Sequence, residues 1–387
     1  MTKLAATPTI APDRVHEFLG ELFSDNFHAK RVLSLGNAVV GAIHAAALGV
    51  HAIGKALAAA EGLEPKHAIK QVDRLLSNMR LDVWELFPLW VTFLLSERKE
   101  VVVALDWTDF DADRHSTIAL NLITSHGRAT PLMWKTHDKA TLKKHRNDYE
   151  DDLLARLCEI IPPGVRVTVL ADRGFGDQAL YAALLEAEMH FVIRFRGAIS
   201  VTDADGNTTT ADALVPPSGR SKKYSNVCVT QTKTPVPAVV CVRAKNMKEP
   251  WCLATSRDDL NASQVVALYG RRFTIEENFR DTKDPRFGMG LSATHVGRTD
   301  RRDRLLLVGA LAQALLTLLG AAAEEVGLDR KLKANTVKRR TTSLFNQGWY
   351  WYQAIPNMRE EWLRPLMEAF GRIVLKQAVC REIFGII

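Results

Sequence analysis

Cysteine is sparse and poorly placed for structural work in this chain. The five cysteines, Cys158, Cys228, Cys241, Cys252 and Cys380, are odd in number and no two have CxxC spacing. That argues against a disulfide framework and against a zinc site, and it fits a reducing, cytoplasmic setting. Internal repeats and low-complexity tracts are also absent, which excludes repeat architectures. The opening stretch MTKLAATPTIAPDRVHEFL lacks the continuous apolar run of a signal peptide. Two apolar segments, residues 38–60 and 305–323, approach the length of a membrane span. The first is interrupted by His44, His51, Lys55 and glycines, and the second carries Gln313. Both are expected to be buried helices, with no membrane partner.

What is present is core material and positive charge. Hydrophobic residues make up 47% of 387 residues, enough for a sizeable core and too many for wholesale disorder. This length suggests two to four domains. A net charge of +7 favours a polyanionic partner, although many basic proteins bind nothing acidic.

The pattern along the chain divides it into five parts. Residues 1–97 form a helical N-terminal region, with apolar residues recurring every three or four positions. Within it, KHAIKQVDRLLSNMRL places Ile69, Val72, Leu75, Leu76 and Met79 on one face. Lys66, His67, Lys70, Arg74 and Arg80 fall elsewhere, either as a solvated face or as a DNA-contacting helix after a turn. Residues 98–196 read as three strands, helix, strand, helix, strand, an α/β core with an antiparallel start. Residues 197–258, rich in Thr, Ser, Val, Gly and Pro, read as a β-rich insertion. Residues 259–322 return to the core as helices. Residues 323–387 form a helical C-terminal region that includes the aromatic-rich GWYWYQ.

Two carboxylates stand out. Asp106 ends the apolar run VVVAL and Asp172 ends VTVLA, each where a buried strand reaches the carboxyl edge at which α/β sheets hold ligands. Either alone reads equally well as a cap or turn residue. Asp109, Asp111 and Asp113 compete with Asp106 but fall in an expected loop. A third carboxylate lies in ALYGRRFTIEENFRDTK. At roughly 100° per residue, Tyr269, Arg272, Glu276 and Lys283 share one helix face, while Phe273, Ile275 and Phe279 supply the buried one. Such a stripe is either surface ion pairing or the wall of a cleft. Three converging carboxylates repel one another unless cations neutralise them, and hard oxygen ligands suit two Mg²⁺ ions, with Mn²⁺ as a substitute. A pair of ions can support in-line phosphoryl displacement, with Arg272 and Lys283 beside the DNA phosphates.

These residues carry a resemblance. Tyr269-x2-Arg272-x3-Glu276-x6-Lys283 resembles, without a gap, the Y-R-E-K motif of the insertion-sequence-four family of bacterial DDE transposases. ALDWT around Asp106 and LADRGF around Asp172 are similar to the two Asp motifs of that family, over roughly residues 100–295. The resemblance implies a ribonuclease H-like catalytic core interrupted by a β-rich insertion. It implies cut-and-paste transposition: a nick at the transposon end, a hairpin intermediate and attack of the 3′-OH on target DNA. By the same resemblance, Asp106, Asp172 and Glu276 are catalytic metal ligands, and Tyr269, Arg272 and Lys283 hold DNA. Trp251, in EPWCLATS, is similar to a residue that stacks a flipped base, or else it is an ordinary strand-face Trp. DNA partners would be the terminal inverted repeats and the target, handled by a homodimer in a bacterial, nucleoid-associated setting. Basic clusters at Arg298, Arg301, Arg302 and Arg304, and at Lys331, Lys333, Lys338, Arg339 and Arg340, extend the DNA track or are ordinary helix ends. Two other readings stay open: a nuclease that cuts without joining, and a non-catalytic DNA-binding descendant.

Overall fold

The computed structural model describes residues 12–24, 27–96, 98–375 and 383–384. Five helices come first: α1 (Pro12–Phe23), α2 (Ala29–Ala45), α3 (Val50–Glu61), α4 (Pro65–Ser77) and α5 (Val83–Leu95). The apolar stretch at residues 38–60 is broken between α2 and α3 by a 96° bend. In α4, Ala68, Val72, Leu75 and Leu76 are buried, whereas Met79 lies beyond the helix and is exposed. Lys66, His67, Lys70 and Arg74 face solvent.

Next come β1 (Glu100–Phe110), β2 (His115–Leu122) and β3 (Thr130–Asp138), joined by tight turns into an antiparallel meander. The chain continues through α6 (Arg146–Ile160), β4 (Arg166–Ala171), α7 (Gln178–Glu186) and β5 (His190–Phe195). Strands β4 and β5 run parallel to β1, as helical crossovers require.

The segment read as a β-rich insertion, residues 197–258, does form strands, and they prolong the same sheet. It contributes β6 (Ser200–Thr202), β7 (Thr208–Thr210), β8 (Lys222–Val229), β9 (Thr234–Val242) and β10 (Trp251–Thr255). Strand β10 pairs antiparallel with both β5 and β9, giving one ten-stranded sheet in the order β3-β2-β1-β4-β5-β10-β9-β8-β6-β7. Composition marks where the strand-rich segment begins, but not which edge it joins. Backbone donors and acceptors on β5 would otherwise stay unpaired, and β10 satisfies them.

Helices α8 (Ala262–Gly270), α9 (Thr274–Lys283), α10 (Thr299–Glu325), α11 (Leu344–Ala354) and α12 (Glu360–Leu375) complete the described chain. Because side chains alternate along a strand, the sheet has two apolar faces. Ala104, Leu170, Val192 and Leu253 pack under Val265, Tyr269 and Ile275 of the α8–α9 segment. Val103, Leu105, Val169 and Phe191 join the larger core with Leu153 and Leu157 of α6 and Leu180 and Leu184 of α7. Helix α10 is long and apolar enough to cross a membrane, but 89% of its apolar window is buried inside the fold, as expected for residues 305–323. It crosses α11 where Gly320 and Gly348 meet; a Cβ on either would collide with a backbone carbonyl of the other helix.

The proposed C-terminal region reaches residues 376–382 and 385–387, and the N-terminal one residues 1–11, 25–26 and 97, which lie outside the described residues.

Candidate active site

The parallel pairing of β1 and β4 sets the centre of the site. Its register matches Leu105 with Ala171, so Asp106 and Asp172 are the next residues on two neighbouring strands. Strand β4 stops at Ala171, while β1 continues beyond Leu105 as far as Phe110, paired with β2. Asp106 is therefore inside a strand rather than at its end. Asp109 is also a strand residue, contrary to the loop expected for it. Its carboxylate accepts a hydrogen bond from Ser116 at 2.7 Å and pairs with Lys139 at 3.1 Å. Asp113 is taken by Arg302 and by the Val296 amide, which removes it as a competitor.

Asp106 lies two positions along β1 from Ala104, so its side chain shares the sheet face covered by α8 and α9. The segment carrying the polar stripe is not one continuous α-helix. A 3-10 turn at Arg271–Phe273 separates α8 from α9. Its tighter winding shifts the phase, and Phe273, expected on the buried face, is 41% exposed. The stripe nonetheless converges on Asp106. Arg272, buried with its side chain 6% exposed, donates from Nη1 to Asp106 Oδ2 at 2.9 Å and from Nη2 to Glu276 Oε1 at 2.7 Å. One guanidinium thus links two of the three carboxylates. Its buried Nε has no hydrogen-bond partner among the described residues. Burial alone would lower the Arg272 pKa, but Tyr269, Asp106, Glu276 and Asp172 together raise it.

Asp106 shows how short of positive charge this pocket is. Its carboxyl is pushed up to about 6, first by burial; Arg272 opposes the rise, and the negative charges of Asp172 and Glu276 add to it. Among the described residues, one backbone donor, Trp107 N–H at 2.9 Å, helps the ionised form. Asp172 accepts from the Gly174 amide at 2.7 Å and starts a short turn. Lys283, at the far end of α9, donates to Thr108 Oγ1 at 3.0 Å and to the Asp109 carbonyl at 2.6 Å, with its pKa lowered by burial.

Strand β10 is antiparallel to β5, which puts its first residue, Trp251, at the same sheet edge as Asp172. The Trp251 ring meets Tyr269 edge-on at 5.0 Å and Phe273 at 5.9 Å, forming an aromatic wall beside the carboxylates. Two residues of this edge escape a reading of the sequence. Arg173 and Arg194 both donate to Glu249, at 2.9 and 3.0 Å. The place of Arg173 directly after Asp172 is the signal that would have found it; Arg194 comes to this edge only through the pairing of β4 with β5.

The basic clusters fare differently. Arg302 and Arg304 are buried, Arg302 against Asp113 and His115, Arg304 against Asp300 and the Leu76 and Leu81 carbonyls. Arg301 pairs with Asp73 and Arg298 with Asp300. That cluster is structural rather than an open track. Lys333 and Arg340 are likewise paired, with Asp329 and Glu324, and Lys331 lies over the Trp362 ring; Lys338 and Arg339 face solvent.

Among the described residues, no three His, Cys, Asp or Glu side chains are gathered closely enough to hold a metal as they stand. Arg272 bridges two of the candidates instead. In donor chemistry the set does fit a hard divalent cation: three carboxylates, one of them half-buried with its pKa raised by burial and by the other two.

No curated protein matches the chain. The family description Transposase DDE domain matches residues 97–314, more than half its length. That span takes in Asp106, Asp172 and the whole of α8 and α9. The chain therefore belongs to the DDE transposases, enzymes of metal-dependent DNA cleavage and strand transfer.

Proposed function

We propose that the chain is a cut-and-paste transposase of the Y-R-E-K, insertion-sequence-four type, with Asp106, Asp172 and Glu276 as its acidic triad. The observation that carries this reading is the register of β1 on β4, which sets Asp106 and Asp172 side by side, with Arg272 tying Asp106 to Glu276. The strand order 3-2-1-4-5, antiparallel and then parallel, supports a ribonuclease H-like core built from residues 98–196 and 259–322. Residues 1–97 would bind DNA through α4, residues 197–258 would add the aromatic edge, and residues 323–387 would join two subunits.

Asp106, Asp172 and Glu276 would hold two Mg²⁺ ions, or Mn²⁺ in their place. Such ions supply Lewis-acid charge for in-line displacement at a phosphodiester. The chain's own residues do the rest. Arg272 exchanges its bonds to Asp106 and Glu276 for a DNA phosphate, and Lys283 offers a second cation on the same helix. Tyr269, buried edge-on against Trp251, fixes the aromatic wall, and Trp251 stacks a base turned out of the duplex, freeing the backbone to close into a hairpin. The 3′-OH released from the transposon end then attacks target DNA. In the cell the enzyme would work in the cytoplasm, on the nucleoid.

Incubation of the protein with its element's end DNA and Mg²⁺, followed by denaturing gels, tests the proposal. Nicks, hairpins and joined products are expected from the wild type. Asp106→Ala, Asp172→Ala and Glu276→Ala are each expected to abolish all three. Cleavage that survives in all of these variants would refute the triad, and nicks without joined products would favour a simple nuclease.

A further inference from the structure

Beyond the carboxylates, the loop after α9 and the helix α11 enclose an open groove of about 620 Å³. One wall carries Arg280, Arg286 and Phe287; the other carries Trp349 and Tyr350, with Gln353 beyond. Phe287 is 73% exposed and Tyr350 52%, a costly way to display aromatic rings unless something covers them.

The display is rigid. Asp284 accepts from the amides of Arg286 at 2.7 Å and Phe287 at 2.9 Å. The Gly288 and Gly290 amides both return to the Asp284 carbonyl at 3.0 Å, and Met289 N–H closes on the Asp281 carbonyl at 2.7 Å. Gly288 lies so close to the end of α9 that a Cβ there would collide with the Arg280 and Asp281 carbonyl oxygens. Phe287 is thereby held out by a locked turn. Opposite it, Tyr350 is braced edge-on by Trp351 at 4.9 Å and Trp349 by Phe345 at 5.3 Å.

Charge decides what fits between the rings. Arg286 forms no ion pair among the described residues, and Arg280, although it meets Glu277, stays largely exposed. The carboxylate in the lining, Asp281, is buried and engaged by Arg128 at 2.5 Å. The groove is therefore cationic as well as aromatic, the pairing that holds unstacked bases and their phosphates together. Arg280 also lies about one turn along α9 from Glu276, so the groove and the proposed triad share a helix.

We propose that this groove binds a single-stranded segment of DNA, with bases stacked on Phe287 and Tyr350 and phosphates on Arg280 and Arg286. The inference rests on the reading of the chain as a DNA-processing enzyme and assigns a place to a strand that cleavage sets free. It is tested on the full chain in EDTA by fluorescence anisotropy, with a labelled oligothymidylate of about 16 nucleotides and a duplex of equal length. Phe287→Ala and Tyr350→Ala are each expected to weaken oligothymidylate binding by about 5- to 100-fold, with little effect on the duplex. Arg286→Ala should weaken it too and lower the slope of log affinity against log salt by about 0.7. All three side chains are exposed, so unchanged thermal unfolding serves as the folding control. Unaltered oligothymidylate affinity in all three variants overturns the proposal. So does a change in oligomeric state without a change in binding, which would assign the groove to a second copy of the chain. No metal enters this assay, so loss of the groove effect with intact triad-dependent cleavage sinks this inference alone, and the converse sinks only the triad.

Discussion

Under the proposed triad, Arg272 occupies ground that the metal-loaded enzyme would give to cations, and replacing it with Met makes that role measurable. Without metal, its guanidinium is the nearest positive charge to Asp106, a carboxylate 18% exposed. The rise of the Asp106 pKa from 3.8 to about 6 corresponds to about 3 kcal/mol withheld from the metal-free fold at neutral pH. The sign follows from the direction. A raised carboxylate contributes its full stability below its unfolded value and loses it as pH climbs through the folded one. Stability linked to Asp106 therefore falls between about pH 4 and pH 6 and is flat above. Arg272→Met removes the term that opposes the rise, so the fall extends to higher pH. At neutral pH in EDTA the variant should be less stable by roughly 2–4 kcal/mol, the range for losing charge-assisted bonds to a largely buried partner. Mg²⁺ should then stabilise the variant more than the wild type, because no guanidinium has to be displaced. Thermal unfolding across pH, with EDTA or with an Mg²⁺ titration, measures both effects. Equal stability in EDTA together with equal Mg²⁺ stabilisation would refute the idea that Arg272 stands in for a cation.

Two further outcomes follow from buried groups away from the carboxylates. Glu150, pushed up to about 7 chiefly by burial, accepts from Trp107 Nε1 at 2.7 Å; Glu150→Gln should gain on the wild type by about 2 kcal/mol between pH 5.5 and 8.5, read by urea unfolding, and a pH-independent difference would contradict the assignment. Gly348→Ala should cost roughly 1–3 kcal/mol or more by forcing α11 off the Leu316 carbonyl of α10, and a neutral result in chemical denaturation would mean that the crossing is looser than described.

How much was legible in the sequence depended on how local each signal was. The runs VVVAL and VTVLA announce buried strands with acids after them, and both strands form. That the two acids become neighbours is set by a parallel register across more than sixty residues, which no local pattern encodes. The stripe from Tyr269 to Lys283 was readable as one face, but Gly270-Arg271-Arg272-Phe273 contains no residue that demands a 3-10 turn. The phase shift and the exposure of Phe273 were therefore lost. Arg302 and Arg304 looked like surface charge because arginine usually is. Only the tertiary fold brings Asp113 and the α4–α5 carbonyls to them. Trp251 gained its place from the antiparallel addition of β10, a pairing that composition cannot specify.

The hydrogen bonding of β10 to neighbours on both sides has a mechanical consequence. Residues 197–258 cannot swing like a lid, because tilting them would shear a ladder that also anchors the strand behind Asp172. Trp251, Asp106 and Asp172 thus ride on one board, with Glu276 on the helix above it. The break in the helical segment at Arg271–Phe273, which carries Arg272, is the joint between that board and α9.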